Sequence, residues 1–561
     1  MYKKMDLSNL YNFHDDEIIM NAYHKLKPNQ KKVLQECLEL GSGAMALTMS
    51  YGKTIISLVL SLIQAKNNNN SLIVYVLSKT LITNLVDEIK IFFGDTLKYT
   101  ILHQDYVKLI NWVKTENIII TTTNVLSKVY VKNNIDELFT QLIWSVDDNT
   151  NIKYYTEMNK PLLKSNQNIE YLYSNIISVL VIDESQNYYN MNCNKGKCIA
   201  SLYAKNRWLL SGTAIDEPKI ERVFGYFLLL NYKNSPRNLP DFKKYITNKN
   251  YKGIKQTMVY RAENEDFILP TQNMHIISHK LTFEEIMVYE NTKKILLKLN
   301  KMQKEFKSKG DKYNSKKFSS FKLAMLLYLR ECIICPLIPI TTIAIDVSHT
   351  KTKNKLAQIF SDSLNELNLN EWLNNIESLK SSRINTIIER LEKHHDEKVI
   401  IFSCFRVFLN ILDLYIENRP KFTIHSNYSI DKRKEIIEEF KKSKNGVLLL
   451  TFEIGANGLN LQCAKTVFIS DFWWNNGKTT QATARITRYG QQSDYVDIYY
   501  FTSNTGIENA IFKSQKYKLD TIKGLMNGNY HSEIKPIKIN DIIKILKEED
   551  NVDILETILS F

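Results

Sequence analysis

The sequence predicts an α/β chain of two parallel-sheet lobes with a mostly helical insert between them, and three observations carry that expectation. Short apolar runs recur at Leu72 to Leu77, Ile118 to Thr121, Val179 to Ile182 and Trp208 to Leu210, then at Val399 to Phe402, Val447 to Leu450 and Thr466 to Ile469. Such runs, apolar without strict polar alternation, read as strands covered on both faces of a parallel sheet. They fall into two groups, one before residue 215 and one after residue 398. Between the groups, residues 281 to 375 read as long helices, such as Phe283 to Lys298 and Phe318 to Cys332, with a lysine-rich stretch between them. The expected organisation is a first lobe over 1–275, a helical linker over 276–375, a second lobe over 376–525 and a tail over 526–561.

Composition sets the bounds. A chain of 561 residues with 44% hydrophobic and 24% charged residues buries a large core in more than one domain. Lys and Arg number 74 against 60 Asp and Glu, a net charge of +14 that favours a polyanionic partner. The apolar run Ile55 to Ile63 is too short to span a bilayer, and Ile333 to Ile345 is broken by Pro336 and Pro339, so no membrane role is expected. The charged N-terminal residues Lys3, Lys4, Asp6, Asp15, Asp16 and Glu17 leave no apolar core for a secretory signal. The seven cysteines, odd in number and scattered, fit a reducing compartment, and the cytoplasm is the expected location. The close pairs Cys193 with Cys198 and Cys332 with Cys335 lack a histidine at finger spacing and read as thiols rather than zinc ligands. Two further inserts, residues 129 to 177 and 232 to 257, interrupt the first lobe.

Three elements carry chemistry. Ser50-Tyr51-Gly52-Lys53-Thr54 precedes an apolar helical run. A phosphate-binding loop needs permissive backbone at a helix N-terminus, a lysine for phosphate charge and a hydroxyl for Mg²⁺; Lys53 and Thr54 meet the last two needs. A full pattern would begin with glycine where this chain has Leu47, so taken alone the segment also fits an ordinary helix start. The second element, Leu180-Val181-Ile182-Asp183-Glu184-Ser185-Gln186, ends a buried strand in two carboxylates. There Asp183 completes a Mg²⁺ shell and Glu184 orients or deprotonates an attacking water, the alternative being solvated acids at a strand exit. The third is Arg485 and Arg488, which on a helix share a face and reach one anion, or else form an exposed charged face.

Taken in order, these segments resemble the motifs of Swi/Snf-type ATPases of helicase superfamily two. The series runs through Leu26-Lys27-Pro28-Asn29-Gln30, residues 47 to 54, Thr80 to Asn84, Asp183 to Gln186 and Leu210-Ser211-Gly212-Thr213-Ala214. It continues through Gly455 to Leu461, Asp471 with Trp474 and Asn475, and Gln481 to Gln491, so that about residues 20 to 525 are covered. The resemblance implies two RecA-like lobes, with Gln30 on the adenine edge and Leu47, Thr48, Met49, Ser50, Tyr51, Gly52, Lys53 and Thr54 around the phosphates. Thr54 and Asp183 would hold Mg²⁺, the DEAH-box position would be Asp183-Glu184-Ser185-Gln186, and Arg488 would be the arginine finger beside Arg485. Ser50 replaces a usual glycine, Ser185-Gln186 replaces Ala-His and Ala214 replaces a proline; all are off the charge-bearing atoms, which implies that ATP turnover survives. The single-motor layout is similar to nucleoside triphosphate phosphohydrolase I and early transcription factor ATPases of poxviruses, and to helicase-type proteins of yeast linear cytoplasmic plasmids. With no chromatin-reading module expected after position 525, a cytoplasmic genetic element is the expected setting.

For nucleic acid, motif position singles out Ser78, Lys79, Thr121, Thr122, Ser403 and Thr451, each otherwise an ordinary strand-end residue. The lysines at 301, 304, 307, 309, 312, 316, 317 and 322 read as a solvated loop, or else as an auxiliary phosphate-binding patch. The expected function is an ATP-driven translocase on double-stranded DNA, with RNA as the other track. The competing readings are a transcription or mRNA-maturation subunit that uses the nucleotide site as a switch beside an RNA polymerase or capping enzyme, and a strand-separating helicase.

Overall fold

The computed structural model describes residues 16–48, 51–68, 72–103, 118–132, 172–173, 176–212, 215, 217–232, 234–247, 253–261, 269–340, 362–363, 366–367, 380–456, 459–488, 490–527 and 538–548. The chain divides into two compact units, residues 1–268 with 520–534 and residues 269–519 with 535–561.

The first unit is built on β1 (Gly43–Leu47), β2 (Ile73–Val76), β3 (Tyr99–Leu102), β4 (Ile118–Thr121), β5 (Ile177–Ile182), β6 (Ala204–Ser211) and β7 (Met258–Arg261), in the order β3-β4-β2-β5-β6-β1-β7. Every neighbouring pair is parallel. The second unit carries β8 (Thr271–Ser278), β9 (Val399–Ser403), β10 (Lys421–Ile424), β11 (Val447–Thr451), β12 (Thr466–Ile469) and β13 (Tyr495–Thr502), in the order β10-β11-β9-β12-β13-β8 and again all parallel. The expected α/β class with two parallel sheets holds, and each of the apolar runs singled out in the sequence forms a strand. Both faces of these strands are covered, as the unbroken burial of Ile118–Thr121 and Val447–Leu450 requires of a doubly wound sheet.

The Lys53–Asn67 helix is buried almost all round from Ile55 to Ala65, as a helix enclosed in a core must be. Its polar positions are answered inside: Ser57 Oγ lies 3.1 Å and Ser61 Oγ 3.5 Å from the Tyr75 hydroxyl on β2. Burial raises that phenol well above its usual range, so it stays protonated.

In the second unit, Phe283–Ser308 begins with a reciprocal cap, Glu285 N donating to Thr282 Oγ1 at 3.3 Å and Thr282 N to Glu285 Oε2 at 2.8 Å. Lys312–Cys332 begins at Asp311, whose carboxylate accepts Asn314 N at 3.0 Å. These two helices pair along their length and correct the loop reading of the lysine series. Of that series only Lys309 sits in the turn; Lys322 is buried, and the others lie on the helices because lysine propagates a helix well. Within the expected tail, the Ile539–Glu548 helix buries Ile542, Ile543 and Leu546 in the core of the second unit.

Near the end of the second long helix, Glu331 is buried and its Oε2 has no partner among the described residues. Burial pushes its carboxyl up to about 7 against the opposing pull of Arg330. The folded state therefore holds this proton more tightly than the unfolded chain, and the associated stability is complete below the unfolded value near 4.5 and is lost as pH rises through 7. Urea unfolding of Glu331→Gln should accordingly show no gain over wild type at the acid end and a gain that grows between those values; equal slopes with pH in the two proteins would contradict this.

Candidate nucleotide site and strand-end clefts

Parallel register gathers the chemistry of the first unit on one edge. Ala46 of β1 pairs with Ser211 of β6, and Ile182 of β5 pairs with Leu209, so Thr48 and Asp183 leave the sheet from the same C-terminal edge with β6 between them. Loops at such an edge are where open parallel sheets bind ligands. Thr48 N donates to Arg261 O at 3.1 Å, Met49 and Ser50 lie outside the described residues, and Tyr51 is buried. Gly52 then takes φ +82° as the residue that opens the Lys53–Asn67 helix. A side chain is excluded there on two grounds, since the backbone is left-handed and a Cβ would stand 2.3 Å from Gln30 Nε2.

Gln30 ties this loop to the preceding helix. Its Oε1 accepts Lys27 N at 2.9 Å and its Nε2 donates to Tyr51 O at 3.0 Å. Lys53 Nζ folds back onto the loop, donating to Leu47 O at 2.9 Å and Thr48 O at 3.2 Å. Thr48 Oγ1 is buried without a partner among the described residues. Lys53 thus lies with its ammonium beside backbone that exits onto a helix N-terminus, the setting in which phosphate oxygens are held.

Just past the end of β5, two strands away, Asp183 N donates to Val76 O at 2.9 Å, and Asp183 Oδ1 accepts Glu184 N at 2.9 Å. Glu184 has φ 46° and ψ 47°, a left-handed conformation that non-glycine residues rarely adopt and that functional sites often hold. A side-chain relay follows: Gln186 Nε2 donates to Glu184 Oε2 at 2.6 Å, and Ser211 Oγ donates to Gln186 Oε1 at 2.7 Å. Ser185 Oγ lies 2.9 Å from the Tyr189 hydroxyl. The hydroxyl of Thr54 and the carboxylate of Asp183 are hard oxygen donors, a set that suits Mg²⁺, an ion that keeps most of its shell as water and phosphate. No cluster of three or more His, Cys, Asp or Glu residues that could hold a metal occurs among the described residues. Ser211 was not singled out as a site residue; its signal was its place within the Ser-Gly-Thr segment, of which Thr213 lies outside the described residues.

In the second unit the Gly477–Thr483 helix ends before either arginine. The chain goes on in tight turns, Arg485 N donating to Ala482 O at 3.1 Å and Arg488 N to Ile486 O at 2.9 Å. The expectation of two arginines sharing a helix face is corrected. Thr483 Oγ1 and Thr487 Oγ1 bond back to the carbonyls of Thr479 and Thr483, at 3.1 and 3.2 Å, and such hydroxyls compete with regular helix. Arg485 is buried and Arg488 partly so.

The nucleic-acid candidates divide. Ser78, whose Oγ lies 3.0 Å from Thr80 Oγ1, is partly exposed, Lys79 is exposed, and Thr451 is partly exposed. The other three are buried: Thr121 Oγ1 donates to Leu102 O at 3.0 Å, Thr122 Oγ1 has no partner among the described residues, and Ser403 donates to Asp471. Ser403 in particular presents no hydroxyl at the surface, because Asp471 gathers it together with Cys404 N at 2.9 Å and Ser470 Oγ at 2.8 Å. Thr451 instead lines a cleft of about 370 Å³ at the strand ends, with Arg406, His425, Trp473 and Lys478. Those four were not singled out in the sequence; Arg406, His425 and Trp473 lie within a few residues of strand ends and Lys478 on the Gly477–Thr483 helix.

Two protein families match the chain: the SNF2-related domain over residues 29–336 and the helicase conserved C-terminal domain over residues 379–490. The chain is 26% identical over 586 residues to protein 172L of Invertebrate iridescent virus 6, designated a helicase, covering 92% of this chain and 93% of that one. It is 26% identical over 414 residues to the DNA repair and recombination protein RAD54-like of Drosophila willistoni, spanning 67% of this chain and 50% of that protein. The DNA repair protein RAD5 of Yarrowia lipolytica is 31% identical over 172 residues, 16% of its own length. Among solved structures, the Sulfolobus solfataricus SWI2/SNF2 ATPase core in complex with dsDNA aligns over 94% of this chain and 96% of that one at 20% identity, with a TM-score of 0.36.

Because the Gly52 backbone and the Gln30 amide oppose a side chain together, Gly52→Ala should destabilise by on the order of 1–3 kcal/mol in urea unfolding. Adding Gln30→Ala removes the clash but not the backbone strain, so the double variant should be more stable than the sum of the two single effects. Strict additivity would show that the Gln30 side chain is not the obstacle.

Proposed function

The chain belongs to the SNF2-related family, the Swi/Snf-type ATPases of helicase superfamily two, and from that premise we propose that it is an ATP-driven translocase on double-stranded DNA. The observation that carries this reading is the shared edge of the first sheet, where the segments bearing Lys53 and the Asp183-Glu184 pair leave β1 and β5 on either side of β6. On this reading Gln30 reads the adenine edge, residues 47 to 54 cradle the phosphates, and Lys53 answers the β/γ charge. Thr54 and Asp183 would hold Mg²⁺, which supplies charge neutralisation at the phosphates when bound. Glu184, oriented by Gln186, positions the attacking water and accepts its proton. Arg488, with Arg485 beside it, stabilises the charge that develops on the γ-phosphate. Ser78, Lys79 and Thr451 are the accessible candidates for backbone contact, a mode that grips without reading sequence.

The setting we propose is a cytoplasmic genetic element, where the motor serves transcription or replication. In this it is akin to poxvirus nucleoside triphosphate phosphohydrolase I and the helicase-type proteins of yeast linear plasmids. Similarity to the viral protein over nearly the whole of both chains supports that setting, and an RNA polymerase or capping enzyme is the partner class it implies.

Steady-state phosphate release with duplex DNA, RNA or no nucleic acid tests the motor. Duplex DNA should give the largest stimulation, and Lys53→Ala should lower turnover at least about a hundredfold, the scale on which a lost charge-stabilising group acts. Lys53-independent release under all three conditions would end the reading, and preferential stimulation by RNA would replace DNA as the track.

A further inference from the structure

Outside the residues assigned above, the second unit holds an open cleft of about 610 Å³ between the paired helices Phe283–Ser308 and Lys312–Cys332 and the start of the Ile539–Glu548 helix. Among the described residues, four lysines line it, Lys304, Lys307, Lys322 and Lys538, with Ser319 and Asn540 among their neighbours and no carboxylate in the lining. Lys322 is 2% exposed, yet its Nζ meets only neutral acceptors among the described residues, Asn300 Oδ1 at 3.0 Å and Asn540 Oδ1 at 3.4 Å. A buried ammonium ordinarily sits against a carboxylate, and one held by two amides beside three further lysines is an uncompensated positive charge. Burial, with Lys304 adding to it, lowers the Lys322 pKa accordingly.

Three acids on the same elements are engaged elsewhere or exposed. Asp541 accepts Lys538 N at 2.7 Å as the cap of its own helix, and Asp311 caps Lys312–Cys332 through Asn314. Glu305 is exposed on the first helix. Further exposed lysines lie on the same helix pair and its turn, Lys301, Lys309, Lys312, Lys316 and Lys317. Lysines are well suited to phosphate as point charges, and a set of them larger than the cleft's own suits a chain of phosphates better than a single small anion.

We propose that this cleft is a second nucleic-acid contact, a seat for backbone phosphates on the helix pair, distinct from the strand-end residues and extending the translocase reading. Lys304, Lys307 and Lys538 meet the phosphates at the cleft mouth, and Lys322 sets the charge at its floor.

The test is salt-dependent binding of the full chain to a short labelled duplex of random sequence, without nucleotide, so that it does not depend on turnover. Neutralising Lys304→Gln, Lys307→Gln and Lys538→Gln together should make the plot of log affinity against log salt shallower by about 2–3, near 0.9 for each phosphate no longer neutralised by a lysine. A charge-matched control, Lys90→Gln with Lys98→Gln and Lys393→Gln at exposed positions elsewhere, should keep the wild-type slope. Basal phosphate release should be the same in both triple variants. Lys322→Met, if it folds, should shift the slope in the same direction as the cleft triple.

An unchanged slope in the cleft triple, or an equal change in the control, would overturn the proposal. So would thermal stabilisation of wild type, but not the cleft triple, by tripolyphosphate with the duplex slope unaltered, which would assign the cleft to a small polyphosphate. Failure of Lys53-dependent turnover with the slope difference intact would remove the motor reading and leave this seat for phosphates standing.

Discussion

The arrangement of the first unit depends on one constraint, the unbroken parallel register of β1, β6 and β5. Because all strands run the same way, every loop that leaves a C-terminal end emerges on one edge. Ala46 opposite Ser211 and Leu209 opposite Ile182 bring three chain-distant segments to a common level. The lysine comes from the first of these, the serine from the second and the paired acids from the third. The strand ends from which these segments leave are held by sheet hydrogen bonds. A slip of one residue in a strand would reverse which face each side chain meets and dismantle both the core and the site.

In the second unit a single carboxylate takes the corresponding role at the strand ends. Asp471, just past β12, receives donors from Ser403 and Cys404 at the end of β9 and from its neighbour Ser470. Each of its oxygens is answered inside the protein, which is how a buried carboxylate is accommodated. The strand-end turn that follows β9 is thereby pinned, and Cys404 and Arg406 are delivered to the rim of the cleft that Thr451 and Trp473 also line.

What could be read from the chain follows burial. The strands anticipated were those covered on both faces, where apolar composition is forced. The four edge strands, β3, β7, β8 and β10, were not, because an edge strand keeps polar and charged residues such as Lys421, Gln272 and Arg261. Two interior strands escaped for other reasons. β1 is Gly-Ala-Met-Ala-Leu, whose small side chains give little apolar signal, and β13 carries Asp497, which pairs with His275 at 3.0 Å on the neighbouring strand. For the candidate site, Lys53 and Asp183 were legible because their chemistry lies in charge and spacing. Ser403 and Thr121 were not, since a strand-end hydroxyl reads the same in sequence whether it faces solvent or a buried acceptor. The helical hairpin was half legible: its apolar stretches showed, while its lysines masked the continuation to Ser308 and the restart at Lys312.

Gln186 stands where the resemblance in sequence would place a histidine, and its amide joins Glu184 to Ser211. A carboxylate can only accept, so the nitrogen must face Glu184 and the oxygen must face the serine, leaving one orientation of the group. An imidazole in that place would gain and lose a proton near neutrality and reverse its donor pattern as it did so. The amide has no such second state. Which end of the Gln186 side chain faces Glu184 and which faces Ser211 on the adjacent strand is therefore set by covalent structure instead of by the medium.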